Sequence, residues 1–148
     1  MESSQCEIPD YTPPSREVEK ILENSKRIAV VGLSPKTSRD SNMVVRYLLG
    51  VGYDVIPVNP GQHKILERTC YKTLEDIPFD IDVANLFLNP TRIPQVIDQC
   101  IRIGVKTIWM QLGVVHNDAA SKARAAGIEV VMNRCIKVEH QNFMKVNE

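Results

Sequence analysis

From Lys26 onward the chain alternates short apolar runs with segments of helical period. Arg27–Val31 (RIAVV) is a continuous apolar run of the kind that forms a strand buried on both faces. Val44, Val45, Leu48 and Leu49 then recur at helical spacing, and Gly50 and Gly52 end that helix. Tyr53–Val58 reads as a second strand, with Pro57 inside it; proline removes a ladder donor and predicts an irregular end or a sheet edge. Thr73–Asp76 resembles a capping box that opens one or two turns of helix, and Val83–Leu88 follows as a strand. Ile93, Val96, Ile97, Cys100 and Ile101 form the cleanest helical stripe, with Pro94 tolerated in the first turn. Val105–Gln111 is a further strand, Asn117 is expected to cap an alanine-rich helix ended by Gly127, and Ile128–Met132 is the last strand.

Ahead of this pattern, Ser15 is expected to cap a short helix with Val18, Ile21 and Leu22 on one face. Residues 1–14 are polar, carry Pro9, Pro13 and Pro14 and have no apolar period, so they read as a flexible arm before one domain over 15–148. A length of 148 residues suits one core, and no internal repeat or second linker occurs. Alternation of strand and helix predicts an α/β fold: a Rossmann-like three-layer sandwich on a mostly parallel sheet of five or six strands, with the Arg27 strand central.

Charge narrows the partners. Lys plus Arg and Asp plus Glu are both 18, and zero net charge argues against nucleic acid or an acidic membrane surface. No apolar run approaches the roughly 20 residues needed to span a bilayer, and the first residues lack a secretory pattern, so the expected location is cytoplasmic. Cys6, Cys70, Cys100 and Cys135 include no Cys-x-x-Cys pair, and His63, His116 and His140 are scattered; no metal site is expected. His116 reads as a helix-start residue and Trp109 as sheet core whose indole N–H needs a partner. Cys135 follows Arg134, and cationic neighbours are what make a thiol reactive.

In an open parallel sheet, ligands bind beyond the carboxyl ends of the strands. The loop after the first strand, Gly32–Ser41, combines a glycine, the hydroxyls of Ser34, Thr37, Ser38 and Ser41, the charges of Lys36 and Arg39, and a following helix N-terminus. These groups suit a phosphate or pyrophosphate, with Gly32-Leu33-Ser34 at its edge. The pattern departs from G-x-G-x-x-G, since Ser34 and Thr37 stand where its second and third glycines would be. The end of the second strand reads Val58-Asn59-Pro60, without the carboxylate that NAD ribose requires. A phosphorylated nucleotide other than NAD is favoured. An NAD(P)- or other nucleotide-dependent enzyme is the alternative, and an interaction subunit regulated by its ligand is a third reading.

Segments 29–35 with Arg39, 52–60, 74–78, 105–113 and 126–135 together resemble the stand-alone CoA-binding domain family of bacteria and archaea, which shares its fold with the nucleotide domain of the succinyl-CoA synthetase α-subunit. The resemblance runs from about Ile21 to His140. It implies coenzyme A as ligand, with Gly32, Ser34 and Arg39 at the phosphates and Val58, Asn59 and Pro60 beside the adenosine; Leu33 and Lys36 of the same loop are counted with the binding site. Asn89 and Pro90, after Leu88, would line the pantetheine arm. Many relatives carry arginines in the segment corresponding to 87–90, where this chain has Leu88 and Asn89; Arg92 could take over part of that role. The phosphate-carrying histidine domain of the synthetase has no counterpart here, so the resemblance implies a binding or regulatory module for CoA or acyl-CoA with no catalytic residue. Partners would be a second copy or an acyl-CoA enzyme, and Cys135 would be a structural thiol or would meet the CoA thiol.

Overall fold

The computed structural model describes residues 7–147. Five strands, β1 (Arg27–Val31), β2 (Asp54–Val58), β5 (Val83–Leu86), β6 (Thr107–Met110) and β7 (Glu129–Val131), form one parallel sheet in the order β2-β1-β5-β6-β7. A separate antiparallel hairpin joins β3 (Lys64–Ile65) to β4 (Arg68–Thr69). The helices are α1 (Ser15–Asn24), α2 (Asp40–Gly50), α3 (Ile93–Ile103), α4 (Asn117–Ala125) and α5 (Ile136–Val146). The architecture is the expected Rossmann-like α/β sandwich, with five sheet strands. β1 is interior but one place from the centre, which β5 occupies.

Two-residue alternation along each strand divides the core. Ile28 and Val30 on β1 and Trp109 on β6 join Val18, Ile21, Leu48 and Ile136 on the face covered by α1, α2 and α5. Ala29, Val31, Ile108 and Met110 join Ile93, Ile97, Ala120 and Ala123 on the face covered by α3 and α4. Each fully buried aliphatic side chain contributes about 1.5–3 kcal/mol relative to exposure. Trp109 is fully buried, and its indole N–H donates to the Arg134 carbonyl at 2.8 Å, which supplies the expected partner.

Several local expectations change. Pro14, not Ser15, occupies the N-cap of α1, and Ser15 is its first helical residue. His116, not Asn117, caps α4: its Nδ1 accepts from the Ala119 N–H at 3.1 Å. Asn117 instead holds residues 7–14. Its Oδ1 accepts from Asp10 N–H at 2.9 Å, and its Nδ2 donates to the Ile8 carbonyl at 2.8 Å. Arg124 stacks over the Tyr11 ring at 4.5 Å, and Pro13 is buried. Residues 1–6 of the expected arm, with Cys6, lie outside the described residues. Thr73–Asp76 yields a single 3₁₀ turn, Leu74–Asp76.

Two elements have no counterpart in the apolar pattern. The β3–β4 turn holds Leu66 and Glu67 at φ +51° and +63°, where Asn and Gly are the usual residues, so no turn signal is visible. α5 follows Met132 with a sparse stripe of Ile136, His140 and Phe143 among polar residues. Pro57 lies in β2 at the sheet edge, as its missing donor requires.

Candidate functional site

In chain order the sheet strands run 2-1-3-4-5, so the order reverses between β1 and β5. Ligands of open α/β sheets bind at that point, beyond the strand ends. The loop after β1 and the residues after β5 meet there. Gly32 has φ +88°, and a Cβ on it would lie 2.2 Å from the Phe87 carbonyl oxygen. The glycine is therefore required by contact between the two loops, in addition to any ligand.

The β1 loop is held from beneath. Ser34 N–H donates to Ser41 Oγ at 3.0 Å, and Asn42, fully buried, donates from Nδ2 to the Ser34 carbonyl at 2.9 Å. Arg46 donates from Nε to Asn42 Oδ1 at 3.0 Å and reaches the Thr37 carbonyl at 2.8 Å. Ser34 Oγ accepts from Lys36 N–H at 3.1 Å. This network presents Ser34, Ser38, Arg39 and Ser41 around a cleft of about 340 Å³ with Gly32, Asp40 and Phe87, at the start of α2. Lys36 and Arg39 are exposed, and neither side chain forms an ion pair among the described residues. Arg39 lines the cleft and Lys36 does not, and Asp40 sets a carboxylate beside it; the start of α2 and the hydroxyls are what favour an anion there together with Arg39.

The other expected site residues take different positions. Leu33 is fully buried in the core, and its carbonyl accepts from Asn59 Nδ2 at 2.9 Å. Val58 is also core. Asn59 Oδ1 accepts from Gly61 N–H at 2.8 Å, so Asn59 ties the β2 turn to the β1 loop, with Pro60 exposed beside it. Asn89 Oδ1 accepts from Thr91 N–H at 3.0 Å and caps a 3₁₀ turn that begins at Pro90. Asn59, Pro60, Asn89 and Pro90 do not line the cleft or the cavity beside it.

That cavity is the feature the sequence did not disclose. It has a volume of about 600 Å³ between α2 and α5, and it shares Asp40 and Phe87 with the cleft. Met43, Leu88, Leu112, Val114 and Val138 make its walls apolar, and Gln111, Cys135, Lys137 and Gln141 supply polar atoms. Its size falls within the roughly 300–1,000 Å³ of small-molecule sites. Beneath it, Gln111 Oε1 accepts from Asn85 Nδ2 at 3.2 Å and from Ile136 N–H, the first of α5, at 3.3 Å. Asn85 is fully buried in the central strand, and its Oδ1 has no partner among the described residues.

Among the described residues no group of His, Cys, Asp and Glu could hold a metal ion, and no helix is long and apolar enough to cross a membrane. Burial pushes the Cys70 thiol up and the Cys100 thiol up to about 12, away from the thiolate form that reacts.

Comparison with known proteins adds identity to this geometry. Residues 26–141 match the family model described as CoA binding domain. An uncharacterised Bacillus subtilis protein, YneT, is 37% identical over 128 residues, which are 86% of this chain and 95% of that one. The ADP-forming acetate–CoA ligase II of Archaeoglobus fulgidus is 33% identical over 99 residues, covering 66% of this chain but only 14% of the ligase. A solved structure of a hypothetical protein from Pyrococcus horikoshii superposes with a TM-score of 0.88 at 40% identity, covering 93% of this chain and 97% of that one. The matched span begins just before β1 and ends within α5, so it takes in both walls of the switch point: this chain belongs to the CoA binding domain family.

Proposed function

We propose that the chain binds coenzyme A or an acyl-CoA at the carboxyl edge of its sheet and acts as a binding or regulatory module without its own catalysis. The observation that carries this reading is the joined pair of cavities at the β1/β5 switch point. The cleft around Gly32, Ser34 and Arg39 offers hydroxyls, one guanidinium and the α2 N-terminus to the phosphates. The larger apolar cavity suits a long, sparsely polar arm. Asn59 and Pro60, at the β2 turn, and Asn89 and Pro90, after Leu88, lie outside both linings and meet the ligand only where its adenosine and its arm extend beyond them. The ligase relatives carry a similar domain as a small fraction of a larger chain, which supports an acyl-CoA enzyme as partner.

Isothermal titration with CoA, dephospho-CoA and NAD tests the ligand. CoA is expected to bind and NAD to give no comparable heat; tight NAD binding without CoA heat would reverse the assignment toward a nicotinamide enzyme. Arg39→Ala removes a charge-assisted hydrogen bond to phosphate and should weaken CoA by about 1–3 kcal/mol, roughly 5- to 150-fold in Kd. Unchanged affinity would mean that Arg39 faces only solvent.

A further inference from the structure

Of the three cysteines among the described residues, Cys70 and Cys100 are buried and Cys135 is partly exposed. Cys135 lines the cavity of about 600 Å³ and stands at the N-cap of α5. A second observation marks this cavity as a ligand site. Gln111, 5% exposed, lines it, and both hydrogen bonds to its side chain fall on Oε1. The Ile136 N–H can only donate, which fixes Oε1 on that side of the amide and turns Nε2 away. Gln111 Nε2 has no partner among the described residues and is not one of their buried unpartnered atoms, so a donor on this nearly buried side chain stays open to the cavity.

The cavity therefore calls for a ligand segment that is mostly apolar, carries an amide or similar acceptor, and ends near a thiol. It continues from the cleft through Asp40 and Phe87, so a ligand whose phosphates sit at Arg39 would extend its arm toward α5. We propose, on the CoA reading above, that this cavity receives the pantetheine arm and that Cys135 undergoes thiol–disulfide exchange with its sulfur. Gln111 Nε2 donates to a pantetheine amide carbonyl.

The co-reactant is a low-molecular-weight disulfide containing CoA. Cys135 thiolate attacks its CoA sulfur; the Cys135–CoA bond forms as the original S–S bond breaks. The other half leaves as a thiolate and takes a proton from water. Cys135 is oxidised as that half is reduced, so the electrons balance.

The reduced full-length protein is incubated separately with CoA disulfide, pantethine and oxidised glutathione, and adducts are followed by intact mass and located by peptide mapping. CoA disulfide and pantethine should label Cys135 about ten-fold or more faster than glutathione, because the cavity prepositions the arm. Dithiothreitol should reverse the adduct. Desulfo-CoA, which fills the site without a sulfur, should slow iodoacetamide labelling of Cys135. Equal rates for all three disulfides, labelling only at Cys6, Cys70 or Cys100, or no protection by desulfo-CoA would overturn the proposal. CoA binding by calorimetry without Cys135 modification would overturn it while leaving the CoA reading intact. Absent CoA heat would defeat that reading itself.

Discussion

Gly32 serves two surfaces at once. Its positive φ disfavours any side chain by about 1–3 kcal/mol, and the Phe87 carbonyl occupies the space a Cβ would need. Gly32→Ala should therefore destabilise the fold by at least about 2 kcal/mol, since strain and overlap act together. Urea denaturation would read this as a lower midpoint at constant slope. An unchanged midpoint would mean that the two loops part without cost. In sequence this residue is visible as a glycine after an apolar run, which suggests close approach but not to what. That Arg39 and Ser34 line a cleft was legible as an expectation, because charge and hydroxyls at a first βα turn carry their own chemistry. Leu33 and Val58 show the opposite case: their neighbours mark the site, but their side chains are buried in the core, which the pleat of β2 decides for Val58 and the turn after Gly32 decides for Leu33.

At the scale of elements, α5 matters most because it forms a wall of the cavity and was not visible as an apolar helix. It is docked by His140 rather than by a broad hydrophobic face. Tyr47 Oη lies 2.7 Å from His140 Nδ1, and Tyr47, Tyr53 and Phe143 meet the imidazole edge-on. Burial pushes the His140 pKa below its usual 6.5. No carboxylate forms an ion pair with it among the described residues, and Lys137 sits over the Tyr47 ring that meets it. The sign follows from proton uptake. The unfolded chain binds the proton first, so stability is complete above pH 6.5 and falls as pH drops through the window below it. Denaturation midpoints between pH 7.5 and 5, in the manner of a linkage titration, should fall for the native chain and stay flatter for His140→Phe. Equal slopes would assign the acid sensitivity elsewhere. Asp82 acts lower. Its burial raises the pKa, but the N–H groups of Arg27 and Lys26 with Lys106 outweigh that and hold it below the usual carboxylate range. Its contribution is therefore lost only in stronger acid, as pH falls through that lowered value.

For the whole molecule, both core layers rest on one five-stranded sheet, so neither can melt while the other keeps its strands. Trp109, the single tryptophan, faces the α5 side and is fully buried. Its fluorescence and far-UV circular dichroism should give coincident denaturation transitions. An earlier fluorescence change would show that the α1–α2–α5 layer opens by itself. The sandwich was legible because repeated apolar runs separated by helical periods admit few arrangements. The hairpin was not, because Leu66 and Glu67 adopt left-handed backbone that their side chains do not advertise. The cavity was not, because its walls come from α2, the end of β5, the loop after β6 and α5, and adjacency across a sheet is a property of topology rather than of local pattern.

The two margins of the sheet carry one more consequence. β2 contains Pro57 and is bridged by Tyr71 next to Val58, while β7 is only three residues long and shares a cleft with Tyr11 and Pro13 of the segment fastened to Asn117. Neither rim offers a long ladder of free amide groups to another chain. Crowded copies of the protein therefore resist ribbon-like polymerisation. A larger enzyme holding such a unit would have to grip it by helices and loops, which leaves the mouth at the strand ends in play as a contact.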